Sequence, residues 1–230
     1  MNFYELKIKI NLLNNIYLED VSFVLGVFIN NSLLKNSILK KIHEEKRYKY
    51  VYDSLYPIEK DKIYKKGNTY TFRIRSISIQ LLNKIAMVIF NHEYNGVRAI
   101  DVDLINSSID KINEIYTLKP FIVTIDNQPW LQDKDTIELL KKRLNDNLEK
   151  KVQQVFCNNE IKYSESFIEE IKITNKYPIK YKYKSIILLG NKVSIKIKSD
   201  KSSQLKALMA IALGLGEKGS SLGAGFCSYR

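Results

Sequence analysis

Few side chains in this sequence can exchange a proton near neutral pH. There are two histidines, His43 and His92. His43 lies in KKIHEEKRYKYVYDS, among Lys41, Lys46, Arg47, Lys49 and the tyrosines Tyr48, Tyr50 and Tyr52. Imidazole takes and gives protons in the physiological range. Cutting RNA without a metal needs a group that takes the proton of the 2′-hydroxyl and a group that protonates the leaving 5′-oxygen. It also needs positive charge for the phosphorane. His, Tyr and Lys where a helix gives way to a strand can supply these. On the residues alone, a surface histidine in a charged stretch remains the competing reading. His92, in FNHEYNG, reads as a capping residue at a helix C-terminus.

Metal-dependent chemistry is less well supplied. Asp101 and Asp103 form a D-x-D on a predicted strand, with both carboxylates on one face. No further acid and lysine complete a nuclease site, and a solvent-facing strand explains the pair. Cys157 and Cys227 have no metal-ligand spacing and are too few for a disulfide framework. No Ser-His-Asp or Cys-His arrangement can be argued. Neither a metal nor a cofactor is expected.

The stretch LGLGEKGSSLGAGF (213–226) holds five of the nine glycines. Gly214, Gly216 and Gly219 spell G-x-G-x-x-G, but the dinucleotide fingerprint requires strand, turn, helix. Here a helix precedes and a strand follows, so that reading fails. A helix C-cap explains one or two of the glycines. Gly214, Gly216, Gly219, Gly223 and Gly225, with Lys218, Ser220 and Ser221, are instead expected to form a backbone-donor loop lying against a phosphate chain.

Lysines crowd the segment before it. Between Lys176 and Lys206 there are nine lysines and one acid, Asp200. Lys180, Lys182 and Lys184 share one side of a predicted strand, and Lys192, Lys196 and Lys198 share one side of the next. A hairpin joined around Gly190-Asn191, with an odd-length loop or a bulge, would align the two sets as a phosphate-contacting face.

The elements that must position these groups follow from periodicity. Residues 3–13 alternate as a strand. A helix follows with Val21, Val24, Val27 and Phe28, capped by Asp20. A second helix from about Ser32 is expected to bury Leu34, Ile38 and Ile42. RYKYVYDSLYP and KGNTYTFRIRSIS read as strands, 78–91 as an apolar helix, and VRAIDVDLI as a strand. This order is that of a ferredoxin-like unit. A second cycle is expected near Pro120, with strand FIVTI and a helix carrying Ile137, Leu140, Leu144, Leu148 and Val152 on one side. Strands IEEIKIT, IKYKYKSIILL and KVSIKIK follow. Then come helix KSSQLKALMAIAL, capped by Ser199 or Asp200, and the short strand FCSYR. The fold class is therefore α+β, with two tandem ferredoxin-like (βαββαβ) domains packed side by side. The domains are expected at 1–118 and 119–230, packed as one body because no flexible linker separates them.

The composition agrees. The net charge is +12, with 37 Lys and Arg against 25 Asp and Glu, and 45% of residues are hydrophobic. An AT-rich coding bias raises lysine, yet the imbalance still points to a polyanion, most simply nucleic acid. No stretch approaches a membrane span or a signal peptide, and a cytoplasmic location is expected.

The two ferredoxin-like halves, His43 after the first helical region, and GLGEKGSSLGAGF between a helix and a terminal strand together resemble the CRISPR repeat-processing endoribonucleases of the repeat-associated mysterious protein superfamily. The loop matches that family's signature: G-h-G, a polar spacer, then G-x-G before an aromatic-containing strand. The resemblance implies metal-independent cleavage of precursor CRISPR RNA within repeats, leaving a 2′,3′-cyclic phosphate and a 5′-hydroxyl. It carries the family's histidine onto His43. It also implies a nearby tyrosine or lysine: Tyr52 and Lys49 by spacing, with Tyr48, Tyr50 and Lys46 as rivals. The partners implied are CRISPR repeat RNA and effector-complex proteins, with no membrane, for a monomer or homodimer. The alternative is a non-catalytic RNA-binding subunit of an RNA-guided effector complex.

Overall fold

Leu6, Ile8, Ile10 and Leu12 alternate with Lys7 and Lys9 along β1 (Asn2–Leu12). In the computed structural model the four apolar side chains are fully buried and the two lysines face solvent. The structure describes residues 1–45, 48–156 and 166–230. After β1 come β2 (Ile16–Tyr17), α1 (Val21–Leu33), α2 (Ser37–Glu44), β3 (Val51–Tyr52) and β4 (Ile63–Tyr64). β5 (Thr69–Ser76), α3 (Ile79–Ile89), β6 (Glu93–Tyr94) and β7 (Val97–Ser108) complete the first half. The first sheet runs β3-β5-β1-β7-β6, with antiparallel pairing throughout. α1 and α3 close one face through Leu25, Phe28, Leu82 and Ile85 against Leu6, Ile8, Phe72 and Ile74.

The second half holds β8 (Glu114–Thr117), β9 (Thr124–Ile125), β10 (Gln128–Pro129), α4 (Ile137–Phe156), β11 (Ile168–Ile173), β12 (Ile179–Tyr183) and β13 (Ile186–Gly190). It ends with β14 (Val193–Ile197), α5 (Lys201–Leu213), α6 (Gly219–Leu222) and β15 (Cys227–Tyr229). Its sheet runs β11-β14-β8-β15. Numbering the core strands within each half, both sheets have the order 2-3-1-4, so the tandem ferredoxin-like reading holds. Asp200 caps α5 by accepting from the Ser203 amide. α5 is buried on all sides from Lys206 to Leu213 because it packs on α4 and also on β5 and β1 of the first sheet. Its one fully buried cation, Lys206, donates to Asn145 Oδ1 and pairs with Glu149 on α4.

Four expectations change. α1 stops at Leu33, and Asn36 opens a separate α2 by accepting from the Ile38 and Leu39 amides. That break rotates the expected face: Leu39 is buried, while Leu34 and Ile38 are exposed. FIVTI is buried from Phe121 to Val123 but joins no sheet beyond single bridges at Phe121 and Ile122 and the short β9. Glu114–Thr117 is a central strand of the second sheet, so the expected 118/119 division falls after it. Finally, IKYKYKSIILL is two strands. Lys184, with φ 55°, turns the chain so that β12 pairs with β13, while β14 pairs with β11 and β8. The expected lysine hairpin between the 180s and 190s does not form, because their strands lie in different sheets.

The glycine segment closes the two halves. Its carbonyls and amides bond back to 118–122: Leu118 and Lys119 N–H donate to Phe226 O, Gly225 N–H to Pro120 O, and Glu217 N–H to Ile122 O. A Cβ on Gly223 would overlap the Tyr52 carbonyl of β3, and one on Gly225 would overlap Leu215; both residues have positive φ. Gly223→Ala or Gly225→Ala is therefore expected to destabilise the chain by about 2–4 kcal/mol. Gly67→Ala, also at positive φ but facing open space, should cost about 1 kcal/mol. Urea unfolding of the three variants checks this; equal losses would contradict the closure.

Candidate functional site

His43 stands on the last turn of α2, and Tyr48 returns toward it just beyond residues 46–47, which lie outside the described residues, the expected rival Lys46 among them. The Tyr48 Oη and His43 Nδ1 are 2.8 Å apart, with either able to donate according to the tautomer. The same hydroxyl lies 3.4 Å from the His43 carbonyl, to which it can donate. Both side chains are half-buried. The Tyr48 ring meets Tyr50 edge-on at 5.8 Å, and the buried Tyr50 donates to Asn30 Oδ1 of α1. Burial, then the neighbouring Tyr183, raises the Tyr48 phenol above its ordinary value, so it stays an O–H at neutral pH.

Tyr52 has a different task. It is fully buried, and its hydroxyl sits between the carbonyls of Ser22 (2.6 Å) and Ser221 (2.9 Å). It rivets α1 to α6 and is closed to substrate. Lys49 lines a groove with Ile38, Ile42, Lys84 and Phe156 that His43 does not share. Of the expected trio, the structure brings His43 together with neither Tyr52 nor Lys49; Tyr48 takes the partner's place.

In the glycine segment, Gly214, Gly216, Gly223 and Gly225 are buried against the chain's own backbone. They are closed to a phosphate chain, contrary to expectation, and only residues 217–221 reach solvent. There Lys218 adopts the left-handed region (φ 61°) and extends its ammonium over the Tyr183 ring at 5.4 Å. Lys184, from the β12–β13 turn, reaches the same ring at 5.7 Å. Gly219, Ser220 and Ser221 lie beside Lys218, half-buried. Lys182 is held by Glu19 and Asp20, and Lys196 by Glu170. Lys180 and Lys192 line one cavity, and Lys198 is half-buried just beyond β14.

The seam behind this surface carries charges that periodicity did not single out. Asp53 is fully buried and accepts from the amide and Nε of Arg73, each at 2.6 Å. Burial pushes its carboxyl up to about 6 against the opposing pull of Arg73 and Lys119. Arg75 pairs with Glu5, donates to the Cys227 carbonyl and lies over Phe226 at 4.3 Å. Lys119 donates to Ser22 Oγ (2.9 Å) and Leu222 O (2.8 Å). Lys151 donates to Gly214 O (2.6 Å) and Gly216 O (2.8 Å), neutralising the C-terminus of α5. The only sequence signal for Lys119 and Lys151 is that each sits in an apolar context, LKPFIVTI or an amphipathic helix.

His92 is not a cap. It is buried between Phe28 and Tyr94, stacked on the latter at 6.3 Å. Asp101 and Asp103 are exposed on β7, as expected of a solvent-facing strand. Among the described residues no group of three or more His, Cys, Asp or Glu could hold a metal ion. Burial pushes the Cys227 thiol up to about 12, leaving it unreactive, and Cys157 lies outside the described residues. No helix among the described residues is long and apolar enough to cross a membrane.

Burial pulls the Lys119 ammonium down to about 7, with Asp53 drawing it partly back, and burial pulls Lys151 down to about 8. The unfolded chain then holds more protons than the folded one between these values and the ordinary lysine value, so stability rises with pH there. Asp53 works with the opposite sign, but below this window. The thermal midpoint is expected to climb from about pH 7 to about pH 9, and Lys119→Met to flatten the climb. An identical climb in the variant would remove Lys119 from this role.

No protein-family model matches the sequence, and no curated protein matches it. Solved structures do match. One described as CRISPR associated protein Cas6 is 16% identical, with 99% of both chains covered and a TM-score of 0.74. A RAMP protein binding different RNA substrates is 18% identical over 99% of both chains, with a TM-score of 0.73. A Cas6 product complex is 12% identical over 100% of both chains, with a TM-score of 0.62. From end to end, this chain has the fold of the Cas6 and RAMP structures.

Proposed function

We propose that this chain is a metal-independent endoribonuclease that cleaves precursor CRISPR RNA within its repeats. The observation that carries the reading is the His43–Tyr48 pair, whose 2.8 Å contact fixes the imidazole against a phenol that neighbours Tyr183, the ring under Lys184 and Lys218. With Nδ1–H donating to Tyr48 Oη and the Tyr48 O–H turned to the His43 carbonyl, Nε2 is left to exchange a proton. The 2′-hydroxyl loses its proton as O2′ attacks phosphorus, the P–O5′ bond breaks, and O5′ takes up a proton. Nε2 performs one of these transfers and water the other. The products are a 2′,3′-cyclic phosphate and a 5′-hydroxyl. Lys184 and Lys218 supply charge for the phosphorane, and Gly219, Ser220 and Ser221 add donors beside them. The likeness to a Cas6 product complex supports the substrate class.

A second reading, a non-catalytic RNA-binding subunit of an RNA-guided effector complex, is favoured by the likeness to a RAMP protein that binds different RNA substrates. Incubating repeat RNA with the protein in EDTA separates the two. Wild type is expected to cut, His43→Ala to lose about 10²–10⁴-fold in rate, and Tyr48→Phe to lose about tenfold or more. Undiminished cutting by His43→Ala, or cutting only with Mg²⁺, would falsify the mechanism. Tight binding without any cutting by wild type would establish the second reading.

A further inference from the structure

Where the start of α1 meets β12, between the two halves, there is a cavity of about 570 Å³. Neither His43 nor Tyr48 lines it. Its walls are aromatic and aliphatic: Tyr17 and Tyr56, with Ile58 and Ile179. Three lysines, Lys62, Lys180 and Lys192, reach it from separate segments, and Lys119 lies buried at its inner end. The one acid in the lining, Glu19, is held at 2.5 Å by Lys182. Lys62, Lys180 and Lys192 carry no ion pair among the described residues. Some other exposed charges do pair, as in Lys40–Glu44, Arg98–Glu93 and Lys196–Glu170.

Unpaired ammoniums around flat aromatic walls match one kind of ligand. Bases stack on tyrosine rings whatever their sequence, and lysines neutralise phosphate. The volume lies within the ordinary range for one small ligand, about 300–1,000 Å³. Ser22 and Ser54 add hydroxyls for a base edge or a ribose.

We propose that this cavity holds one unpaired nucleotide of the RNA, its base against Tyr17 and Tyr56 and its phosphate at Lys180 and Lys192, away from the bond that is cut. This rests on the RNA-cleaving reading above and makes the cavity its specificity site. The lysine sets that the sequence placed on one hairpin thus converge in part by another route: Lys180 and Lys192 meet here from different sheets.

The test uses the full chain and a repeat RNA with 2′-deoxyribose at the cleavage site, so that it binds uncut, in EDTA. Lys180→Gln/Lys192→Gln is expected to raise Kd about tenfold and to flatten log Kd against log salt by about one. Tyr17→Ala, at an exposed position, is expected to raise Kd about fivefold or more. With cleavable RNA the loss should fall mainly on KM, whereas His43→Ala acts on kcat. RNA carrying 4-thiouridine should cross-link to peptides containing Tyr17 or Tyr56. Kd within twofold of wild type in both variants, with cross-links elsewhere, would overturn the assignment. Displacement of the RNA by an equal concentration of a free 5′-mononucleotide would overturn it too, in favour of a free nucleotide. If wild type cuts and His43→Ala does not while the cavity variants are unaffected, this inference alone fails. If wild type neither binds nor cuts, the underlying reading fails with it.

Discussion

Between Gly223 and the carbonyl of Tyr52 there is no room for another carbon atom. That backbone-to-backbone approach joins the last loop of the chain to β3 of the first sheet, and the surface around the site depends on it. It sets the Ser221 carbonyl on the Tyr52 hydroxyl and the Leu222 carbonyl on the Lys119 ammonium. It also seats α6 against α1 and β3, so that Lys218, just before α6, projects over Tyr183. Gly26 of α1 belongs to the same closure, since a Cβ there would overlap the Ser221 carbonyl. Glycine is required because the neighbours are main chain and cannot move aside as a side chain can.

The seam is electrostatic as much as apolar. Arg75, Lys119 and Lys151 each direct a cation at main-chain carbonyls of the closing segment, and Arg73 holds Asp53 beneath it. Carbonyls at a helix end and in a tight loop have no amide partner, so buried ammonium and guanidinium groups satisfy them. Part of the +12 net charge is therefore internal. Other lysines stay at the surface, among them Lys184 and Lys218 at Tyr183 and Lys62, Lys180 and Lys192 at the cavity.

The architecture was legible because its signals are local. Alternation in β1 and β14, the 3.6-residue stripe of α4 and the Asp200 cap each survive intact. The strand order that makes both halves ferredoxin-like follows from the succession of elements. Partnerships were not legible. A left-handed Lys184 folded one apparent strand into two, and no residue type at that position announces it. His43 was visible as a rare chemical group, but its partner was chosen by packing. Tyr50 and Tyr52 pack into the first core, and Tyr48, half-buried at the end of that run, is left beside the imidazole. The glycine loop was visible as a motif while its use was inverted: it mostly accommodates the chain's own carbonyls, and only 217–221 faces outward.

The central claim is that a fixed imidazole, and not a metal-bound water, drives attack by the neighbouring 2′-oxygen. The chemistry of the cut ends reports this directly. Mass spectrometry of repeat RNA cleaved in EDTA should find a 2′,3′-cyclic phosphate on the upstream fragment and a 5′-hydroxyl on the downstream one. A 3′-hydroxyl and a 5′-phosphate, or a cut at a linkage whose 2′-hydroxyl has been replaced by hydrogen, would contradict the account.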